Sequence, residues 1–280
     1  MSFKSYKKYL IAIPARLKSS RLPNKVLEVI GNKPMIRHVL DRCNKFSDDL
    51  SVNLCTDSEK LFDMASSWGF NVIKTDKNCL SGTERIASVL DKLVGFAWNM
   101  NLSDISHDAK ENIYMNTCII NVQGDQPFID SNIILSLKKY LSTINPSADI
   151  VTPVYQLDKK NIHNPNIVKT LLAQDGRAIY FSRSAVPHIR DIKPEEWSNH
   201  YQYWGHVGIY GYRATILSKW NLMPLSSLEK LERLEQLRLI DAGYTISTFP
   251  VDSPSLSVDT YEQLEEARAL ANTFPDVLNN

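Results

Sequence analysis

The sequence predicts an α/β fold: a doubly wound, mostly parallel sheet with a smaller mixed-sheet lobe. Three observations carry this. Short apolar, β-rich runs alternate with helical patterns through residues 1 to about 145, and such alternation implies parallel strands joined by right-handed crossovers. The second part, about 146 to 280, strings longer β-rich pieces together and breaks them with only two helical stretches. No linker rich in Pro, Gly or Ser separates the parts, so 1–280 reads as a single domain with the lobe packed on the first unit.

The elements follow in order. Tyr9–Ala15 is an apolar run that reads as a buried strand. "PMIRHVLDRCNKF" places Met35, Ile36, Val39, Leu40 and Cys43 on one helical face. "SVNLCT" (51–56) is a second strand. A helix starts near Ser58 and stops near Gly69. "FNVIKT" (70–75) is a third strand, "TERIASVLDKL" (83–93) a helix and "CIINVQ" (118–123) a fourth strand. The stretch 95–117 is polar and weakly periodic, and reads as a helix end followed by an extended surface loop. Beyond it, "DIVTPVY", "NIVKTLLA", "AIYFSRS", "HVGIYGYR" and "TISTFP" read as strands. "LEKLERLEQLRLIDAG" and "TYEQLEEARALANTF" read as helices.

Composition narrows the function. A formal net charge of +1 argues against a generic nucleic-acid binder. The four cysteines, Cys43, Cys55, Cys79 and Cys118, form no C-x-x-C pair and suit a reducing cytoplasm as free thiols. The apolar core near the N-terminus, Tyr9–Ala15, is interrupted by Pro14 and is too short for a secretory signal. No run approaches the roughly 18 apolar residues of a membrane span, so no membrane partner is expected.

The charge is local instead. "IPARLKSSRLPNKVL" sets Arg16, Lys18, Arg21 and Lys25 directly after the first strand. Ligands of such sheets bind beyond the carboxyl ends of the strands, and phosphate oxygens need cations or backbone N–H groups around them. Neither G-x-x-x-x-G-K-[ST] nor G-x-G-x-x-G is present. Taken alone, a basic loop is more often a solvated turn; its place after the first strand favours a triphosphate. Ser81 and Glu84 have capping-box spacing, which a helix start alone explains. Ser81, Gly82 and Thr83 would also expose N–H groups to a base or ribose. Asp125, at the end of "IINVQGD", is placed to hold Mg²⁺, although a plain Gly-Asp turn looks the same. Asp259 opens the last helix, where the dipole alone favours it. Arg183 can pair with a carboxylate, whereas His206 fits a packed histidine at least as well as a functional one.

In this order, "IPARLKSSRLPNKVL", "GNKPMIRHVL", "SGTERIA", "NVQGDQPFI", "NPNIVK", "YFSRSAVP", "HVGIYGYR", "LEKLERLEQLRLI" and "VDTYEQLEEAR" resemble the 3-deoxy-manno-octulosonate cytidylyltransferases, or CMP-Kdo synthetases, over about residues 10 to 270. The resemblance implies a Rossmann-like nucleotidyltransferase fold, a homodimer and Mg²⁺ dependence. It also implies transfer of CMP from CTP to the anomeric hydroxyl of an eight-carbon acidic sugar, for lipopolysaccharide or capsule synthesis. Matching positions make Arg16, Ser20 and Lys25 triphosphate contacts with Arg21 nearby, and Ser81, Gly82 and Thr83 the cytidine-side turn. They make Asp125 and Asp259 the metal ligands, and Gln123, Arg183, His206, Tyr210, Glu235 and Gln236 the sugar-acid pocket. About 1–145 would be the nucleotide part and about 146–280 the sugar-binding and dimerisation lobe. The chain departs from the family pattern at Ser257, at Gln126 and in the 95–117 insert. These departures leave open transfer to 8-amino-Kdo or another acidic sugar, and a nucleotide-binding regulatory paralogue.

Overall fold

The computed structural model describes residues 7–19, 21–46, 50–143, 150–252 and 256–273. Along the chain run β1 (Lys8–Ala15), β2 (Val29–Ile30), β3 (Lys33–Pro34), α1 (Met35–Asn44), β4 (Ser51–Thr56), α2 (Glu59–Ser67) and β5 (Asn71–Lys74). Then come α3 (Gly82–Ala87), α4 (Leu90–Trp98), α5 (His107–Met115), β6 (Thr117–Asn121) and α6 (Ser131–Thr143). The later elements are β7 (Ile150–Gln156), β8 (Lys169–Leu172), β9 (Ala178–Ser182), β10 (Trp204–His206), β11 (Tyr210–Arg213), α7 (Ala214–Ser218), α8 (Ser227–Glu232), α9 (Gln236–Asp241), β12 (Ile246–Val251) and α10 (Tyr261–Thr273).

The chain forms two compact units. The first holds 1–142, 211–221 and 255–280; the second holds 143–210 and 222–254. In the first, the strand order is β5-β4-β1-β6-β11, and β5, β4, β1 and β6 run parallel. Counted among the parallel strands alone, that is order 3-2-1-4, so the winding reverses between β1 and β6. At such a switch point the carboxyl ends of neighbouring strands diverge and leave a crevice. Leu10–Ile13 and Thr117–Asn121 are wholly buried, the continuous burial expected of central parallel strands covered on both faces.

In the second unit the order is β7-β10-β8-β9, with β12 parallel to β7 and the other pairings antiparallel. The four parallel strands read from the sequence are present, and so is the mixed character of the second part.

Three expectations change. The single helix over 83–93 is two, α3 and α4. Ser88 Oγ bonds back to the Arg85 carbonyl at 2.8 Å, a local bond that competes with helix continuation. The long helix over 228–243 is also two, because Arg233 takes a left-handed φ of 54° and ends α8. The surface loop over 95–117 contains α5, capped by Ser106 and tied down where Tyr114 and Lys110 both donate to Asp91. Among the α5 residues only Tyr114 is buried, so no apolar period marks this helix in the sequence.

Candidate active site

β1 ends at Ala15, and the chain enters a basic loop whose far end is a short 3-10 turn, Lys25–Leu27. One strand over, β6 ends and the turn Gln123–Gly124–Asp125 follows. Gly124 sits at a close approach: a Cβ there would stand 3.2 Å from Ala15 Cβ, Ile36 Cδ1 and the Pro14 carbonyl oxygen, tight enough that its neighbours would have to give way. A glycine thus lets the ends of β1 and β6 lie side by side and sets Asp125 opposite the loop.

Asp259 arrives from the far end of the chain. Leu22, Ile30, Met35 and Phe128 share one apolar cluster with Val258, Leu264, Ala267 and Ala271. The Val258 N–H donates to the Asp125 carbonyl at 2.9 Å. Arg268 donates to the Val29 carbonyl and pairs with Glu28, each at 2.9 Å. The N-terminus of α10 is finished by a capping box. Thr260 Oγ1 accepts from the Gln263 N–H, while Gln263 Oε1 accepts from the N–H groups of Asp259 and Thr260. Since Thr260 and Gln263 do the capping, the Asp259 carboxylate is left for other work.

Lys25 joins these parts. Its ammonium lies 2.5 Å from Asp125 Oδ2 and 2.7 Å from Asp259 Oδ1, and Arg21 reaches Asp259 Oδ2 at 3.0 Å. Burial alone would lower the Lys25 pKa, but Asp125 and Asp259 outweigh it and hold the pKa above its ordinary value. For Asp259, burial pushes upward, while Lys25 and then Arg21 win and keep the carboxyl below its ordinary value. Two carboxylates converging on one cation fit a hard divalent ion such as Mg²⁺, which takes one or two carboxylates plus phosphate oxygens. Around them opens a cleft of about 240 Å³ at the switch point, into which Arg16, Lys18 and Arg21 bring positive charge.

The opposite wall is the start of α3. Ser81 Oγ caps the helix by accepting from the Glu84 N–H at 3.1 Å, while Glu84 Oε2 reaches one residue past the N-cap and accepts from the Leu80 N–H at 3.0 Å, a variant of the predicted capping box. Ser81, Gly82 and Gln123 line the cleft. A Cβ on Gly82 would meet Gln123 Oε1 and Pro14 Cγ at 3.1 Å. Thr83 does not line the cleft. It is fully buried, and its hydroxyl accepts from Asn121 at 3.4 Å. Ser20 lies outside the described residues.

Sequence reasoning missed Ser19 and Arg85 as lining residues and gave Lys18 no role. Arg85 is 2% exposed and donates to Thr75 Oγ1 and to the Asp76 carbonyl, with Asp57 at 3.5 Å. Its Nη2 has no hydrogen-bond partner among the described residues. The only sequence signal was its place two residues after Thr83 in the motif "SGTER".

The remaining candidates, Arg183, His206, Tyr210, Glu235 and Gln236, belong to the second unit. His206 lies 3.0 Å from Thr152 Oγ1 and packs edge-on against Phe181 and tilted against Tyr210. The Thr152 hydroxyl has one proton, best given to the Ile209 carbonyl at 2.8 Å. His206 Nε2 is then the protonated nitrogen and donates to Thr152. Burial pushes the His206 pKa down to about 3, so the ring is neutral and acts through hydrogen bonding and packing. Tyr210 is 3% exposed and Gln236 4%; Gln236 Nε2 has no hydrogen-bond partner among the described residues. Glu235 is half-buried at the N-cap of α9.

Residues 10–246 match the family model described as "Cytidylyltransferase". The chain is 38% identical over 265 residues to the 3-deoxy-manno-octulosonate cytidylyltransferase of Francisella tularensis subsp. holarctica, covering 94% of this chain and 98% of that protein. It is 35% identical over 266 residues to the enzyme of the same name from Thermodesulfovibrio yellowstonii, covering 95% and 98%. Among solved structures, it superposes with a TM-score of 0.79 and 33% identity on CMP:2-keto-3-deoxy-manno-octonic acid synthetase complexed with CTP, covering 95% of this chain and 99% of the other.

Proposed function

The chain belongs to the cytidylyltransferase family, and we infer from that membership that it transfers CMP from CTP to 3-deoxy-manno-octulosonate (Kdo), releasing pyrophosphate. The observation that carries this reading into the fold is the Lys25 ammonium held between Asp125 and Asp259 at the switch point, beside three further cations.

In this reading Arg16, Lys25 and Arg21, with Ser20, take the triphosphate. Attack of the sugar hydroxyl at the α-phosphorus displaces a highly charged leaving group, and fixed cations lower that barrier because they need not reorganise during the step. Asp125 and Asp259 are the proposed ligands of Mg²⁺, which when bound neutralises charge on the phosphate oxygens. The base and ribose lie along Ser81 and Gly82, where glycine permits close approach. Thr83 contributes from behind, by anchoring the turn to Asn121.

The second-unit residues Arg183, His206, Tyr210, Glu235 and Gln236 are the proposed contacts of the acidic sugar. Arg183 supplies the charge for its carboxylate, and neutral His206 presents the polar and apolar faces of its ring. We assign the nucleotide to the first unit and the sugar, together with self-association, to the second. The exposed Leu222, Leu225 and Leu231 of the second unit support a homodimer.

The product would serve lipopolysaccharide or capsule assembly from the cytoplasm. No helix among the described residues is long and apolar enough to cross a membrane, and the four cysteines are free and buried. The test is pyrophosphate release from CTP with Kdo, 8-amino-Kdo and a nonulosonate, with UTP and ATP as alternative donors. Turnover with CTP and Kdo well above all other pairs is expected. Comparable turnover with UTP or ATP, or none with any acidic sugar, would overturn the reading.

A further inference from the structure

At the start of β8, Lys169 is 0% exposed. Its ammonium donates to three carbonyl oxygens: those of Asn164 and Ile167, each at 2.8 Å, and that of Arg183. An ammonium has three N–H donors, so all three are spent on main-chain oxygens. Burial lowers its pKa to about 8, against the opposing pull of Glu232.

Everything Lys169 holds bears on Arg183. It grips the Arg183 carbonyl directly. It also grips the Asn164–Ile167 turn, whose Pro165 carbonyl accepts from Arg183 Nη1 at 3.1 Å. Glu232 closes the frame from the other side. Its carboxylate accepts from the Arg183 N–H at 2.9 Å and from Ser182 Oγ at 2.6 Å, and its carbonyl accepts from Arg183 Nε at 2.9 Å.

Arg183 is therefore fixed at its nitrogen, its carbonyl and two atoms of its guanidinium. Of the five N–H donors of a guanidinium, three stay unspent among the described residues. Two cations around one carboxylate also leave one positive charge in excess.

We propose that Lys169 and Glu232 are positioning residues that pre-set Arg183 for the carboxylate of the acidic sugar, a role that rests on the reading of Arg183 given above. A long, flexible cation loses rotamer freedom each time it binds, and one already fixed avoids that cost. A neutral tie could hold the same turn. A buried ammonium supplies three donors from one point and adds positive charge next to the residue it orients.

The test is steady-state kinetics with CTP and Kdo on Lys169→Met, Glu232→Gln, Arg183→Ala and the doubles K169M/R183A and E232Q/R183A. Each positioning variant should raise the Kdo KM by about ten-fold or more while the CTP KM stays within about two-fold. In the R183A background neither should raise the Kdo KM further. E232Q keeps the shape of the site and carries the test if K169M fails to fold. Equal rises in both KM values, or full additivity with R183A, would overturn the proposal alone. An R183A variant with unchanged Kdo KM would overturn the reading of Arg183 and the proposal with it.

Discussion

Replacing Lys25 with Met removes the one group that lets Asp125 and Asp259 sit face to face. Lys25, Asp125 and Asp259 have side chains 14%, 20% and 34% exposed. Each lost charge-assisted hydrogen bond is worth about 1.5–3 kcal/mol. The two carboxylate oxygens left behind, each within 2.7 Å of the point where the ammonium sat, repel by at least about 3 kcal/mol at an effective dielectric near 20. Partial exposure of Asp259, the remaining Arg21 contact and carboxylate protonation all reduce the sum, so we expect a net loss of about 2–4 kcal/mol at pH 8. For a chain of 280 residues that lowers Tm by roughly 3–7 °C.

The pH dependence has a definite sign. The raised Lys25 pKa gives stability that is present below its unfolded value near 10.4 and is lost as pH rises through the folded one. The lowered Asp259 pKa gives stability that is present above about 3.9 and is lost as pH falls. The wild-type advantage should therefore persist up to about pH 10 and shrink toward pH 4.5, where the variant relieves repulsion by binding a proton. Mg²⁺ at millimolar concentration should stabilise the variant more than wild type, because it meets no resident ammonium. Thermal melts at pH 8 and 4.5, with and without Mg²⁺, are the assay. An unchanged Tm at pH 8, or a deficit that grows on acidification, would refute the electrostatic account.

Three further outcomes follow from the same geometry. Asp125→Asn and Asp259→Asn should each reduce kcat/KM for CTP severely, and the double variant should lose little more, because residues acting as one unit are strongly non-additive; a near wild-type Asp259→Asn would make Asp259 a helix-start residue only. Gly124→Ala forces a Cβ to within 3.2 Å of three atoms around β1 and should cost about 1–3 kcal/mol, with a raised CTP KM; a variant matching wild type in Tm and KM would show that the strand ends have slack. His206, held neutral with a pKa near 3, makes the unfolded chain the better proton binder below about pH 6.5. Stability should thus fall on acidification by at most about 1.4 kcal/mol per pH unit, and His206→Gln should flatten that slope in urea titrations between pH 6.5 and 5; an unchanged slope would place its titration elsewhere.

Much of this was legible in the sequence because it is local. The runs ending at Ala15, Thr56 and Asn121 are mostly apolar and buried along most of their length, as strands covered on both faces tend to be, and α1 and α2 carry their apolar faces at helical spacing. Ser81 and Glu84 signalled their helix start three residues apart, and the family resemblance singled out Asp125 and Asp259, which the fold brings to the Lys25 ammonium. Features without a local pattern stayed hidden. α5 buries a single tyrosine and is held by contacts to Asp91, 19 and 23 positions away. The breaks at Ser88 and Arg233 depend on one side-chain bond and one left-handed residue within otherwise helical patterns. The run from Ser81 to Arg85 reads as one motif, yet folding puts Ser81 and Gly82 on the cleft wall and sends Thr83 back to Asn121.

What the sequence by itself determined was the order of strands and helices, the positive charge after β1 and the chemistry each motif could perform. Only the tertiary structure decided that Lys25, Asp125 and Asp259 share one point, since 100 and 234 positions separate the lysine from its two partners. That convergence comes from burial. The apolar side of α10 packs on Leu22, Ile30, Met35 and Phe128, and the Val258 N–H docks on the Asp125 carbonyl. Apolar burial is non-directional and acts over any sequence separation, so which residues it brings together is fixed only when the whole chain has packed.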